Sequence, residues 1–190
     1  MIINESAAEI WPGALRPSAH IYLLLMTKSD AMMSTPLGLF ITWTVYGTFL
    51  PGDSRGWRHR AAGPQSSRPR LELWHRTELT QEVRLLTQSM RDVTESAVRE
   101  ICRVRAWSLW AIAARSNHVH VVLTAPEFDP KTVRDQLKAK ATLELRGSFS
   151  IWKDRPIWSV KGDIQFLDTE DDIDTCVTYV LDAQNRKDRE

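Results

Sequence analysis

The chain has 190 residues, of which 43% are hydrophobic and 26% charged, and its formal net charge is +1. This composition is that of an ordinary globular protein, and the balanced charge argues against a partner bound through bulk charge alone. The two cysteines, Cys102 and Cys176, lie in helix-like patterns, which favours reduced core positions in a cytoplasmic protein over a disulfide framework or a zinc site.

The N-terminal stretch differs in character from the rest of the chain. We expect residues 1–33 to form a poorly structured leader and residues 34–190 to form a single domain. The apolar run from Ile21 to Met26 is too short to span a membrane. Glu5 and Glu9 precede it, where a secretory signal would carry positive charge. The sequence therefore predicts no membrane association.

The first predicted strand runs from Gly38 to Tyr46 and is rich in β-branched and aromatic residues. Strand side chains alternate, so Thr42, Thr44 and Tyr46 fall on one of its faces. From Asp53 to about Arg76 the sequence has no hydrophobic periodicity and many turn residues, so we expect a long loop.

This expected loop carries a cluster of arginines. A local basic surface can bind phosphates even when the net charge is near zero, and the alternative is a solvated loop. The sequence leaves both interpretations open. The cluster consists of Arg55, Arg58, Arg60, Arg68, Arg70 and Arg76.

Two amphipathic helices are predicted next. The first begins at Thr80 as N-cap and carries an apolar stripe of Leu86, Met90, Val93, Ala97 and Ile101. The second begins at Asp129 and Pro130 and ends near Gly147. Its exposed row is either a solvated face or a contact with a DNA backbone. That row consists of Lys131, Arg134 and Lys138.

Two strands lie between these helices and should form an antiparallel hairpin. The first runs from Arg105 to Ala114, with Trp107, Leu109 and Ala111 expected on one face. The second ends near Thr124. It begins with His118-Val119-His120-Val121, so both histidines point to one side and both valines can enter a core.

The histidine pair makes half of a metal site, because neutral imidazole is the commonest metal ligand. Taken alone, such a pair is more often two half-exposed polar residues. Tyr179 strengthens the metal hypothesis. It lies on a last predicted helix, capped at Thr169, beside a buried stripe, and can face a cleft across the sheet. The alternative is a boundary aromatic with a solvated hydroxyl.

The order strand, helix, strand, strand, helix, strand, helix predicts an α+β fold, a ferredoxin-like antiparallel sheet packed with helices. A tyrosine beside a divalent metal is suited to attack on a phosphodiester, which is the chemistry of strand-transfer nucleases. The metallo-hydrolase pattern His-x-His-x-Asp-His is not met, because Val122 and Leu123 occupy its last two positions.

Several stretches together resemble the HUH tyrosine transposases, and most closely the REP-associated tyrosine transposases and their insertion-sequence relatives. They are Asn117 to Leu123 (NHVHVVL), Thr42 to Asp53 (TWTVYGTFLPGD), Gly56-Trp57 and Tyr179-Val180-Leu181. The resemblance covers residues 36–186. The ordered set is considerably more specific than the histidine pair alone.

The resemblance implies metal-dependent cleavage and rejoining of single-stranded DNA beside a hairpin, through a 5′-phosphotyrosine on Tyr179. It implies Mg²⁺ or Mn²⁺ held by His118 and His120, with single-stranded or hairpin DNA as partner and a homodimer left open. Basic residues of the loop and of the second helix are then DNA-binding candidates. They are Arg55, Arg58, Arg60, Lys131, Arg134 and Lys138.

The third metal ligand is harder to assign from the sequence. Members of the family place an amide four residues after the tyrosine, and here that position is Ala183, which cannot bind a metal. Gln184 turns about 140° away from Tyr179 on an ideal helix and would serve only if the helix end unwinds or bulges. Asp182 shares the side of Tyr179 better and suits Mg²⁺. We favour Gln184 because the family uses an amide.

The sequence is also compatible with two other functions. The first is a DNA-hairpin binding protein that has kept the fold and lost cleavage, since phosphate contacts supply affinity without chemistry. The second is a structural α+β domain whose histidine pair is incidental.

Overall fold

The computed structural model describes residues 36–59 and 62–183. The strands are β1 (Gly38–Thr44), β2 (Trp57–His59), β3 (Gly63–Gln65), β4 (Ser108–Ala114), β5 (His118–Thr124) and β6 (Asp163–Leu167). The helices are α1 (Pro69–Thr77), α2 (Gln88–Arg105), α3 (Pro130–Ser148) and α4 (Glu170–Thr178), with a 3₁₀ turn at Ser150–Trp152 and a π-helical turn at Tyr179–Ala183. The predicted leader, residues 1–33, lies outside the described residues.

Four strands form one antiparallel sheet in the order β4-β5-β1-β6, and β2 pairs with β3 in a separate ribbon. The central strand β1 pairs with β5 and with β6, so that Thr42 lies opposite His120 on one side and Asp163 on the other. The predicted α+β, ferredoxin-like fold class is confirmed.

The sheet has a core on each face. Val119 and Val121 of β5 pack into the larger core, which also takes the buried faces of α2 and α3. Val122 belongs to the smaller core, together with Ile173 and Val180 near the end of the chain. Because strand side chains alternate, the two histidines of β5 share the face opposite to Val119 and Val121, as predicted. The structure shows that this is the side of the smaller core.

The predicted helix start at Thr80 is wrong. Helix α2 begins after Thr87, whose side chain accepts a hydrogen bond from the Met90 N–H. The segment before it is held by tertiary contacts: the Thr80 N–H donates to the Tyr46 hydroxyl at 3.0 Å, and the Leu86 N–H donates to the Ser116 carbonyl at 2.8 Å. These partners are distant in sequence, so local cap chemistry did not reveal them.

The predicted loop from Asp53 to Arg76 is also wrong in part, since it contains the β2–β3 ribbon and helix α1. Helix α1 begins with proline at its first position and has no buried residue, so it lacks the apolar stripe by which a helix is recognised. Within the described part of the chain, no helix is both long enough and apolar enough to cross a lipid bilayer.

Strand β4 contains a bulge that changes which side chains share a face. The pairing with β5 shifts between Leu109 and Ala111, leaving Trp110 as the extra residue. Trp107 and Leu109 therefore face the larger core, whereas Ala111 faces the smaller one. The prediction that Ala111 shares a face with Trp107 and Leu109 is corrected.

Helix α4 leads directly to Tyr179 and depends on its N-terminal capping box. The Thr169 hydroxyl accepts from the Asp172 N–H at 3.1 Å, and the Asp172 carboxylate accepts from the Thr169 N–H at 3.1 Å. Within its bounds, α4 buries only Ile173. A helix with so small a buried face relies on its cap.

We therefore expect Thr169→Ala to lower the free energy of unfolding by about 1 kcal/mol, because the first-turn N–H groups lose their acceptor. Urea unfolding and hydrogen exchange would measure the change, with faster exchange concentrated in α4. Thr175→Ala, an exposed position within the same helix, is the matched control and should not destabilise it. Equal effects of the two substitutions would contradict the prediction.

Candidate functional site

A cleft of about 680 Å³ opens on the side of the sheet that carries the histidines. Strands β1 and β5 form its floor, and two loops and the end of α4 form its sides. The residues lining it are Thr42, Trp43, Thr44, Thr48, Phe49, Arg55, Asn117, His118, His120, Ser159, Lys161, Gly162, Asp163 and Tyr179. Three of the residues predicted for the catalytic site, His118, His120 and Tyr179, are thus brought together.

The two imidazole rings lie side by side, with their centroids 4.5 Å apart. His118 Nδ1 lies 2.6 Å from Asn117 Oδ1, an oxygen that only accepts, so this ring nitrogen donates. His120 Nδ1 lies 2.8 Å from the hydroxyl of Thr42. Both rings are therefore oriented through Nδ1, in the manner of metal-binding histidines whose partners fix the ring and leave Nε2 as the ligand atom.

His120 is neutral at physiological pH. Burial, reinforced by the neighbouring His118 and Arg115, lowers the pKa of the imidazole from 6.5 to about 3. Only 7% of the residue is exposed. A metal ligand must offer a lone pair, so a ring that resists protonation is suited to that role.

Tyr179 lies where α4 ends and the π-helical turn begins. Its ring centroid is 5.6 Å from that of His120 and 6.1 Å from that of Phe40, and the Phe40 and His120 rings are themselves 5.4 Å apart. The residue is 37% exposed. The tyrosine is thus packed beside a histidine on one edge and open to the cleft on another.

The donor set fits a divalent metal in part. Two oriented imidazoles, one of them deeply buried and neutral, supply nitrogen ligands. Across the described residues, no group of three His, Cys, Asp or Glu side chains could hold a metal ion. Among the described residues, a third protein ligand would therefore have to be a donor other than these four types of side chain. Gln184, predicted for that role, lies outside the described residues.

Of the three predicted loop arginines, Arg55 lies at the rim of the cleft. Its guanidinium donates to both carboxylate oxygens of the buried Asp53, at 2.8 and 2.7 Å, and sits over the Phe49 ring. The same contact lowers the pKa of Asp53. Arg55 is thus pre-oriented, and its charge is balanced. The side chain of Arg58 and all of Arg60 lie outside the described residues.

The predicted exposed row on α3 is corrected. Lys131 is exposed, but Arg134 is mostly buried and paired with Asp135 at 2.8 Å. Lys138 is 9% exposed, and its ammonium donates to backbone carbonyls of residues 159–161. Burial and the nearby Arg134 charge lower its pKa to about 8. The ammonium of Lys138 is therefore bound to the protein backbone and does not face a DNA backbone.

Several cleft residues were not predicted. Asn117 adjoins the histidine pair, so its place in the turn before the strand was an available signal for a ring-orienting role. The sequence places Thr42 on the correct face of β1 but does not reveal its hydrogen-bond partner, His120. Lys161 was not predicted for the site, because the segment before β6 reaches the cleft only through tertiary packing. Asp163, the first residue of β6, fell within a short strand predicted around Gly162 to Leu167, but its position opposite Thr42 in the cleft was not predicted.

Residues 77–181, more than half of the chain, match the family described as "Transposase IS200 like". The chain belongs to the IS200-like transposase family. The predicted resemblance to transposases is thereby confirmed. No curated protein matches the sequence.

Two solved structures are similar to this IS200-like transposase. A candidate transposase from Deinococcus radiodurans R1 has 14% sequence identity and a TM-score of 0.48, with 80% of this chain and 91% of that chain covered. A REP-associated tyrosine transposase bound to a REP hairpin has 15% identity and a TM-score of 0.45, with 80% of this chain and 69% of that chain covered.

The buried state of His120 predicts a dependence of stability on pH. The pKa of His120 is depressed in the folded state. In acid, the unfolded chain therefore binds a proton at this residue that the folded chain does not bind. This contribution to stability is complete above pH 6.5 and is lost as the pH falls from 6.5 towards 3. The loss should approach about 1.4 kcal/mol per pH unit below pH 6.

Urea unfolding of the wild type and of His120→Gln between pH 7.5 and 4.5 would isolate this contribution, because all other titrating groups are shared. We expect the free energy of unfolding to fall less steeply with decreasing pH in the variant. The difference between the two slopes should correspond to the uptake of about one proton on unfolding. Equal slopes would mean that the folded protein accommodates a charged His120.

Proposed function

We propose that the protein is a metal-dependent endonuclease and strand transferase for single-stranded DNA, which cuts beside hairpins and uses Tyr179 as nucleophile. The observation that carries this proposal is the packing of Tyr179 against His120, at a centroid distance of 5.6 Å, in a cleft that also contains His118. Membership of a transposase family supports DNA as the substrate. The sequence resemblance to REP-associated transposases supports a hairpin as the neighbouring structure.

His118 and His120 would hold the metal, Mg²⁺ or Mn²⁺, through their Nε2 atoms, since each Nδ1 is already engaged with an oxygen. Such an ion polarises a phosphodiester oxygen and offsets the charge that builds during attack. Asn117 and Thr42 orient the rings. Burial keeps His120 neutral, so it remains a ligand across the physiological pH range.

Tyr179 would carry the covalent step. Its phenolic oxygen attacks the phosphorus, the bond between phosphorus and the 3′ oxygen breaks, and a 5′-phosphotyrosine forms. The proton lost by the tyrosine is balanced by the proton gained by the leaving 3′ hydroxyl. No external energy source is needed, because one phosphodiester replaces another. A later 3′ hydroxyl can therefore attack the phosphotyrosine and reseal the strand.

The π-helical turn supports Gln184 as the third ligand. In an α-helix the residue four positions along lies nearly over the first, whereas a π-turn pairs residues five positions apart. Tyr179 begins the π-turn of Tyr179–Ala183. Gln184 follows Tyr179 by five positions in sequence, and a continuation of the π-turn would bring residues at that spacing together. The bulged helix end that this ligand requires is present up to Ala183.

A covalent-trapping experiment tests the nucleophile. The purified protein is mixed with labelled single-stranded hairpin DNAs from its own genomic flanks, with Mn²⁺ or with EDTA, and separated on a denaturing gel. We expect a slower band that needs Mn²⁺ and is absent from Tyr179→Phe. Tyr46→Phe is the matched control: its hydroxyl contacts Thr80 and does not line the cleft, so the band should persist. A band that survives Tyr179→Phe would exclude this nucleophile.

Metal affinity tests the third ligand. Gln184→Ala should weaken Mn²⁺ binding by at least about 10-fold, since loss of a ligand should cost no less than loss of a partner that orients one, whereas Asp182→Asn should leave it within about twofold. Calorimetric titration of the folded protein with Mn²⁺ gives both affinities without DNA. The reverse ranking would assign the ligand to Asp182.

The second candidate function is a hairpin-binding protein without cleavage, and Ala183 at the usual amide position favours it. The cleft would still bind a DNA strand without cleaving it. The same samples distinguish the two functions. DNA retained on a native gel, with no covalent band under any metal condition, would establish the binding protein.

A further inference from the structure

The segment of residues 159–163, here called the cleft wall, forms one side of the cleft and is anchored to the central strand. The Ser159 N–H donates to the Thr44 carbonyl at 3.0 Å, and the Thr44 hydroxyl donates to the Ser159 hydroxyl at 2.9 Å. Gly162 approaches β1 so closely that a Cβ atom there would lie 2.6 Å from the Thr42 carbonyl oxygen. The cleft wall is therefore one strand away from the histidine pair.

Three successive carbonyls of the cleft wall converge on one ammonium group. Lys138 Nζ donates to the carbonyls of Ser159 at 2.7 Å, Val160 at 3.4 Å and Lys161 at 2.9 Å. An ammonium has three donors, and all three are engaged here. Carbonyls that face one way cannot all pair within a sheet, so the buried charge of Lys138 supplies the partner that this backbone needs.

This contact determines where Lys161 presents its side chain. Its carbonyl is held by Lys138, while its exposed side chain lines the cleft. Within residues 36–59 and 62–183, Lys161 forms no ion pair, whereas Arg55 at the rim is neutralised by Asp53. Lys161 thus brings to the cleft a positive charge that no ion pair among the described residues engages, although the carboxylate of Asp163 lines the same cleft.

We propose that Lys161 binds the phosphodiester backbone of the DNA strand in the cleft, and that Lys138 is a positioning residue that holds the cleft wall so that Lys161 can reach it. This inference rests on the proposed function and extends it to a specific DNA contact. Phosphate contacts by lysine act as point charges and release counterions, so they leave a measurable salt dependence.

The test is a double-mutant cycle in the Tyr179→Phe background, which separates binding from chemistry. Labelled single-stranded hairpin DNA is titrated at several salt concentrations. Lys161→Gln should weaken binding about 3- to 10-fold and reduce the salt slope by about 0.7. Lys138→Met should produce a similar change, because the cleft wall is released. The double variant should be no weaker than either single variant, since one contact is lost in all three.

Lys140→Met is the matched control for Lys138→Met. Lys140 lies two residues away on the same helix, but its ammonium pairs with Glu100 and Glu144, and it does not line the cleft. It should bind DNA with unchanged affinity and salt slope. A purely structural role of Lys138 would lower thermal stability without altering the salt slope of the folded fraction.

If Lys138→Met does not fold, Gly162→Ala displaces the cleft wall while both lysines remain, and it should reduce the salt slope in the same way. An unchanged slope in Lys161→Gln, or additive losses in the double variant, would overturn the inference and leave the proposed function intact. Failure of the Tyr179→Phe parent to bind any of the DNAs would overturn both.

Discussion

The hydrogen bond between Thr42 and His120, which joins β1 to β5 across the sheet, is the contact on which the site depends. It lies in a row of three neighbouring residues, completed by Asp163 of β6 on the other side of Thr42. A shift of one residue in this register would turn the histidines into the larger core and the core valines into the cleft. The same pairing therefore fixes the fold and aligns the groups proposed for catalysis.

Two of the basic residues predicted to bind DNA are instead engaged in contacts within the fold. The guanidinium of Arg55 is matched to the buried carboxylate of Asp53, and the ammonium of Lys138 is matched to backbone carbonyls. Burial of an ionised group is costly unless each charge finds partners, and both groups have them. Basic residues that a sequence suggests for nucleic-acid binding can therefore be engaged in contacts within the fold. Lys161, which no sequence pattern indicated, remains available in the cleft.

Much of the site could be predicted because its periodicities are local. The period of two in β5 placed His118 and His120 on one face, and the helical period placed Tyr179 beside the buried stripe rather than within it. The errors arose where distant partners decide the outcome. Helix α2 does not begin at Thr80, because the Thr80 N–H is bound by the Tyr46 hydroxyl. Lys138 is buried because its ammonium donates to carbonyls more than 20 residues away in sequence. Helix α1 lacks a buried face, so no pattern marked it.

The π-helical turn at Tyr179–Ala183 has a consequence for the length of the chain. A π-turn is equivalent to an α-helical turn with one residue added, and the extra residue is accommodated by widening the backbone. Loss of a single residue here would return the segment to an α-helix without shifting α4, whose bounds end at Thr178. Related chains that are one residue shorter at this point can therefore keep the same spatial arrangement, and alignments that forbid gaps within helices will misplace the residues that follow.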